Sequence, residues 1–149
     1  MRGSKAEGAK LLAGALEVNT SLQECWLNDN SIAAEGAEAF TDCLKVNQSL
    51  RQLHLCGNKI GDAGASLMAS SLKFNHSLRM LCLSNNSIGD LGAMAFSQAL
   101  IINQPIKELL MLFDNEIGDE GAARLAKTLE SNLPINNLYL YLEIRSALM

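Results

Sequence analysis

His54, Cys56 and Cys82 are the residues of this chain whose types could do chemistry together. Imidazole and thiolate are zinc ligands, and a close pair of thiols is also a redox couple. His54 and Cys56 stand two residues apart, so on a strand they share a side. Cys82 falls into the His54 column when the sequence is slid against itself by about 28 residues. A fourth ligand is missing and the spacing is no metal signature, so the reading is no metal site and no cofactor. A metal or redox site at His54, Cys56 and Cys82 stands as an alternative. Cys25 and Cys43 read as small inward hydrophobes. The four cysteines have neither the density nor the paired spacing of a secreted disulfide framework, and fit a reducing compartment.

The other candidate chemistries fall away. Asp62, Asp90 and Asp119 each stand where a carboxylate would cap its own helix, while Glu35, Glu38, Asp42, Glu120 and Glu130 read as a solvated outer face with Arg124 and Lys127. Every Gly-x-x-Gly here belongs to Ile-Gly-Asp-x-Gly, without the longer glycine-to-lysine motif that holds nucleotide. The expectation is therefore that the chain is not an enzyme. A formal charge of -4 and a pI near 5.1 argue against nucleic acid, whose binders cluster Lys and Arg on one face. No apolar run approaches the ~18 residues of a membrane span, and the N-terminus lacks the layout of a signal peptide, so a cytoplasmic location is expected.

The elements that must position these residues are repeats. Leu27, Leu55 and Leu83 form one column, and Asn30, Asn58 and Asn86 another, with Asn115 one residue late. After residues 1–4, which read as a leader, the chain divides into a half repeat at 5–20, full repeats at 21–48, 49–76, 77–104 and 105–133, a partial repeat at 134–142 and a tail at 143–149. The fourth full repeat carries its extra residue between Ile106 and Leu110, where a bulge is expected. Within a unit, Leu53-His54-Leu55 alternates as a short strand with leucines inward. Asn58 then heads a turn, where its amide can satisfy backbone groups out of reach of strand or helix, and stacking would make a ladder. Ala65, Met68 and Leu72 follow at helical spacing. Ala34 replaces the capping aspartate in the first unit, whose helix should start less sharply. Gly36, Gly64, Gly92 and Gly121 should let neighbouring helices approach. Asn19, Asn47 and Asn75 head Asn-x-Ser sequences, but recur at the repeat period. The expectation is a structural cause, asparagine in the left-handed conformation that ends a helix.

Stacked strand-and-helix units make a solenoid. Helices are about 10 Å wide and strands about 4.8 Å apart, so the stack curves with a parallel sheet on the concave face and helices on the convex face. The fold class is α/β, a single solenoid domain. The pattern Leu-x-x-Leu-x-Leu-x-x-Asn-x-Ile-Gly-Asp-x-Gly-Ala, with its closing Asn-x-Ser-Leu, resembles the ribonuclease-inhibitor-like class of leucine-rich repeats. The resemblance implies a surface offered to another protein. Members include nuclease inhibitors, the sensor arms of NOD-like receptors with their place in innate immunity, GTPase-activating proteins and cytosolic scaffolds.

Residues alternating with the buried leucines should project from the concave face, and aromatics gather there. Trp26, His54, Met111, Phe113, Tyr139 and Tyr141 are the expected contacts for a protein partner, since Trp and Tyr are enriched at binding hot spots. The reading is a non-enzymatic scaffold or sensor. A nuclease inhibitor would want an acidic concave face, which only Glu24 and Asp114 approach; a GTPase activator would want a catalytic edge for which Asn28, Asn85 and Lys59 are thin support. The apolar C-terminal strand, with Leu138, Leu140, Leu142 and Ile144, leaves an open edge that could pair with a second copy of the chain.

Overall fold

In a computed structural model of the protein, residues 5–102, 106, 109–131 and 138–140 are described. Helix and strand alternate: α1 (Lys5–Val18), β1 (Glu24–Trp26), α2 (Ala33–Val46), β2 (Gln52–His54), α3 (Gly61–Ser71), β3 (Met80–Cys82), α4 (Asp90–Ile102), β4 (Leu109–Met111), α5 (Asp119–Leu129) and β5 (Leu138–Tyr139). The strands form one parallel sheet in the order β1-β2-β3-β4-β5. Each helix packs on the next, α1 on α2 through α4 on α5, so the chain is the expected α/β solenoid.

The core lies between sheet and helices. Leu53, Leu55, Leu81, Leu83, Leu110 and Leu112 point into it from the strands. Ala37, Phe40, Leu44, Ala65, Met68, Leu72, Ala93, Phe96 and Leu100 meet them from the helices, all buried. A fully buried leucine contributes about 2 kcal/mol, so this column supplies much of what holds the units together. Gly64 is in the tight place expected of it: a Cβ there would lie 2.5 Å from Ile60 Cγ2 and 3.1 Å from the Ala37 Cβ of the preceding helix. Strand register also places the extra residue of the fourth unit. Met80 pairs with Leu109, whereas Gln52 pairs with Met80 and Leu110 with Leu138, and Ile106 is still buried. The insertion therefore falls between Ile106 and Leu109; the expected bulge itself lies outside the described residues, as do residues 1–4, expected as a leader, and 143–149, expected as a tail.

The asparagine ladder is present and runs one way. Asn58 Oδ1 accepts from the N–H groups of Asn30 and Ile32, and its Nδ2 donates to the carbonyls of Leu27 and Cys56. Asn86 serves the Asn58 unit in the same manner, and Asn115 the Asn86 unit. A second ladder runs along the helix-to-strand returns, and it corrects the left-handed reading of Asn47 and Asn75. Asn47 is extended (φ -72°, ψ 125°), and neither residue has a positive φ. Their amides are buried instead: Asn75 Nδ2 donates to the carbonyls of Leu44 and Asn47, and its Oδ1 accepts from Ser77 and Leu78 N–H. Backbone groups turned inward at a bend need such partners.

The aspartates are also corrected. Asp62 does not cap its own helix, whose N-cap is Ile60 without a side-chain bond. Its Oδ1 instead accepts from Gly89 and Gly92 N–H, at the start of α4. Asp90 does the same for Gly118 and Gly121 at the start of α5. Asp62 and Asp90 each cap the helix of the following unit, so the missing carboxylate at Ala34 is felt by α3. There the chain enters differently: Gly61, at φ +64°, donates its N–H to the Asn86 carbonyl.

Candidate functional site

Strand register sets the expected contact residues in a row. Trp26 pairs with His54, His54 with Cys82, Cys82 with Met111, and Met111 with Tyr139. One register column thus crosses the whole sheet. Its ends are open, with Trp26 64% and Tyr139 52% exposed. Phe113, one column over, is half-buried. Tyr141 lies outside the described residues.

The middle of the face is closed, which the alternation of the sequence did not predict. The Trp26 and His54 rings stack at 3.7 Å between centroids and 10° between planes, leaving His54 only 8% exposed. Burial lowers the His54 pKa from its ordinary value, and nearby Glu24 partly offsets this. Gln52 Oε1 stands 3.5 Å from His54 Nε2. Cys82 and Ser84, both expected to project to solvent, are buried at 2% and 1%, and Ser84 Oγ has no hydrogen-bond partner among the described residues.

Cys82 is buried because it forms a disulfide with Cys56, with 5.7 Å between their Cα atoms. The unpaired reading of these two cysteines is overturned by parallel register: Cys82 sits opposite His54, which places Cys56, two residues along, diagonally across from it within bridging distance. Both sulfurs are thereby committed to each other, and among the described residues no group of three His, Cys, Asp or Glu side chains could hold a metal ion. Of the three residues, the structure brings together the redox pair and leaves His54 to Trp26. Cys25 and Cys43 are free and buried as expected. Desolvation raises both thiols, Cys43 to about 12, where Glu17 and Cys25 add to the effect.

Turn chemistry supports the face. Asp29, Gly57, Asn85 and Asp114 all take positive φ at equivalent places after the strands; the recurrence of Asp, Gly, Asn and Asp there was the sequence signal. Asn28 is spent structurally, its Oδ1 accepting from Cys56 N–H at 2.8 Å. Leu138 and Leu140, expected at an association edge, are half-buried against the chain's own core; Leu142 and Ile144 lie outside the described residues. Among those residues no helix is long and apolar enough to cross a membrane.

Strand, asparagine turn and helix at this period define a leucine-rich-repeat fold. The family described as Leucine Rich repeat matches residues 46–69, 74–97 and 108–126. No curated protein sequence matches the chain. Among solved structures the chain is similar to the Leiomodin-1 Actin-Binding Site 2, at 24% identity and a TM-score of 0.76, covering 94% of this chain and 79% of that one. It is also similar to the tropomodulin C-terminal domain of Caenorhabditis elegans, at 21% identity and a TM-score of 0.67, covering 88% and 78%. At these identities the likeness is one of fold.

Proposed function

We propose that the chain is a non-enzymatic protein-interaction module that seats a protein partner on the outward face of its sheet, through Trp26, His54, Met111, Phe113, Tyr139 and Tyr141. The observation that carries this reading is the single register column from Trp26 to Tyr139, exposed at both ends. An exposed tryptophan gives up little further side-chain freedom on binding and removes a large apolar area from water. The location proposed with it is cytoplasmic.

Actin is the first partner to try, because the similar leiomodin domain is an actin-binding site. The test is co-sedimentation with filamentous actin, and capture on immobilised monomeric actin, comparing the chain with a Trp26→Ala, Tyr139→Ala double variant of matching circular dichroism. Binding by the first and a loss of at least about tenfold, or 1.4 kcal/mol, by the second supports both partner and face. Equal binding by both moves the site off the sheet. The sensor-arm, nuclease-inhibitor and innate-immunity readings rest on the motif resemblance alone. The GTPase-activator reading loses Asn28 to its structural bond. Self-association through the far edge of β5 is a separate proposal, tested by sedimentation over a range of concentrations; a monomer throughout rejects it.

A further inference from the structure

We propose that the Cys56–Cys82 disulfide is a thiol-exchange site, at which Cys56 accepts a small thiolate of the glutathione class and Cys82 is the sulfur released. Geometry separates the two sulfurs. Cys56, at the strand-to-turn exit of β2, is half-exposed, whereas Cys82 is buried within β3. Exchange requires an attacking thiolate to reach one sulfur in line with the other, and only Cys56 offers that approach. The other two cysteines are shut in the core, so the chain keeps one pair for the solvent side of its sheet and two thiols away from it.

Opening the bridge leaves the fold standing. Strands β2 and β3 are already paired through Gln52, Leu53 and His54, and Leu53, Leu55, Leu81 and Leu83 hold them to the core. The disulfide links strands that are neighbours without it. Ser84, one repeat along from Cys56 in the same column, carries a buried hydroxyl without a hydrogen-bond partner among the described residues.

The step balances. The thiolate RS⁻ attacks Cys56 Sγ; the RS–Cys56 bond forms as the Cys56–Cys82 bond breaks, and the electron pair leaves on Cys82. Cys82 takes from solvent the proton that the first thiol shed. A second thiolate then attacks the RS sulfur, forming RSSR and releasing Cys56, which is protonated in turn. Two thiols have been oxidised to one disulfide and the protein disulfide reduced to two thiols; RSSR drives the reverse.

The test is peptide mapping by mass spectrometry of the native chain in glutathione buffers, with thiols trapped by alkylation and circular dichroism recorded in parallel. The expected result is reduction without loss of structure, through a mixed disulfide found on Cys56 and not on Cys82. Cys82→Ser should accumulate the glutathione adduct on Cys56 under glutathione disulfide, while Cys56→Ser should leave Cys82 unmodified. If a serine variant fails to fold, the trapped intermediate of the unaltered chain decides the matter. Reduction only under denaturant, or adducts shared equally between the two cysteines, overturns the proposal. Neither outcome depends on whether the face binds a partner.

Discussion

Asp62 and Gly92 are 30 residues apart and belong to successive units, yet the Asp62 carboxylate accepts the Gly92 N–H at 2.8 Å. The same oxygen takes Gly89 N–H at the same distance. Two N–H groups that α4 leaves without an intrahelical partner are thus satisfied by α3, and the negative charge sits at the positive end of the helix dipole. Asp62→Ala should lower stability by about 1 kcal/mol, the usual worth of an N-cap, measured by guanidinium denaturation. Ala34 occupies the equivalent place one unit earlier, with its Cα 3.2 Å from where a Gly64 Cβ would stand. Ala34→Asp should therefore stabilise the chain by about 0.5–1 kcal/mol; no change would mean that the Gly61 bond to Asn86 already does the work of the cap.

Ala33 shows a second local cost. It takes φ 58°, where the Cβ of any residue but glycine meets the backbone and costs about 1 kcal/mol. The later units carry Gly61, Gly89 and Gly118 at this place. Ala33→Gly should raise stability by up to about 1 kcal/mol, less the entropy glycine adds to the unfolded chain, read as a higher denaturation midpoint with unchanged slope. A lower midpoint would show that the unfolded-state term outweighs the strain.

The asparagine ladder predicts a gradient. Asn58 is buried and binds four backbone groups of its own and the preceding unit, so Asn58→Ala strands several of them and should cost about 3 kcal/mol or more, at 1–3 kcal/mol for each unsatisfied buried group. Asn30 is exposed, and among the described residues its Nδ2 donates only to the Asn28 carbonyl. Asn30→Ala should cost under about 1 kcal/mol. Equal losses in thermal denaturation would mean that the asparagines matter for the turn they head and not for the stack.

The repeat made much of this legible in advance. Leu53, Leu55 and Leu81 fell into core columns because a period of two and a period of about 28 residues are both visible in one dimension, and the asparagine ladder follows from stacking those columns. What escaped were relations that cross from one unit to the next off the column. Asp62 looked like a cap for the helix that contains it, because caps are normally sought next to the helix they serve; its acceptor atom reaches across to the next unit. Cys82 was placed opposite His54 correctly, but its bond runs on the diagonal to Cys56. Asn47 and Asn75 announced themselves by recurrence, and the reason was a buried amide in extended backbone and not a left-handed turn. The outward column could be named because outward positions alternate with leucines; its closed middle could not, since ring stacking and the disulfide are made between strands.

His54 makes the face sensitive to acid. Its pKa is lowered from the ordinary 6.5, chiefly by burial, with Glu24 acting the other way. The folded chain therefore binds fewer protons at this site than the unfolded chain, and stability rises with pH wherever the two differ. The contribution is complete above the unfolded value and is lost as pH falls from there through the folded pKa. Charging the imidazole also demands hydration that the stacked Trp26 ring denies it. Trp26 is the chain's one tryptophan, so its emission reports on this pair directly. Between neutral pH and pH 5 the emission should change with a midpoint below 6.5 and the denaturation midpoint should fall. His54→Gln should abolish both changes; a variant that keeps them would overturn the assignment to His54.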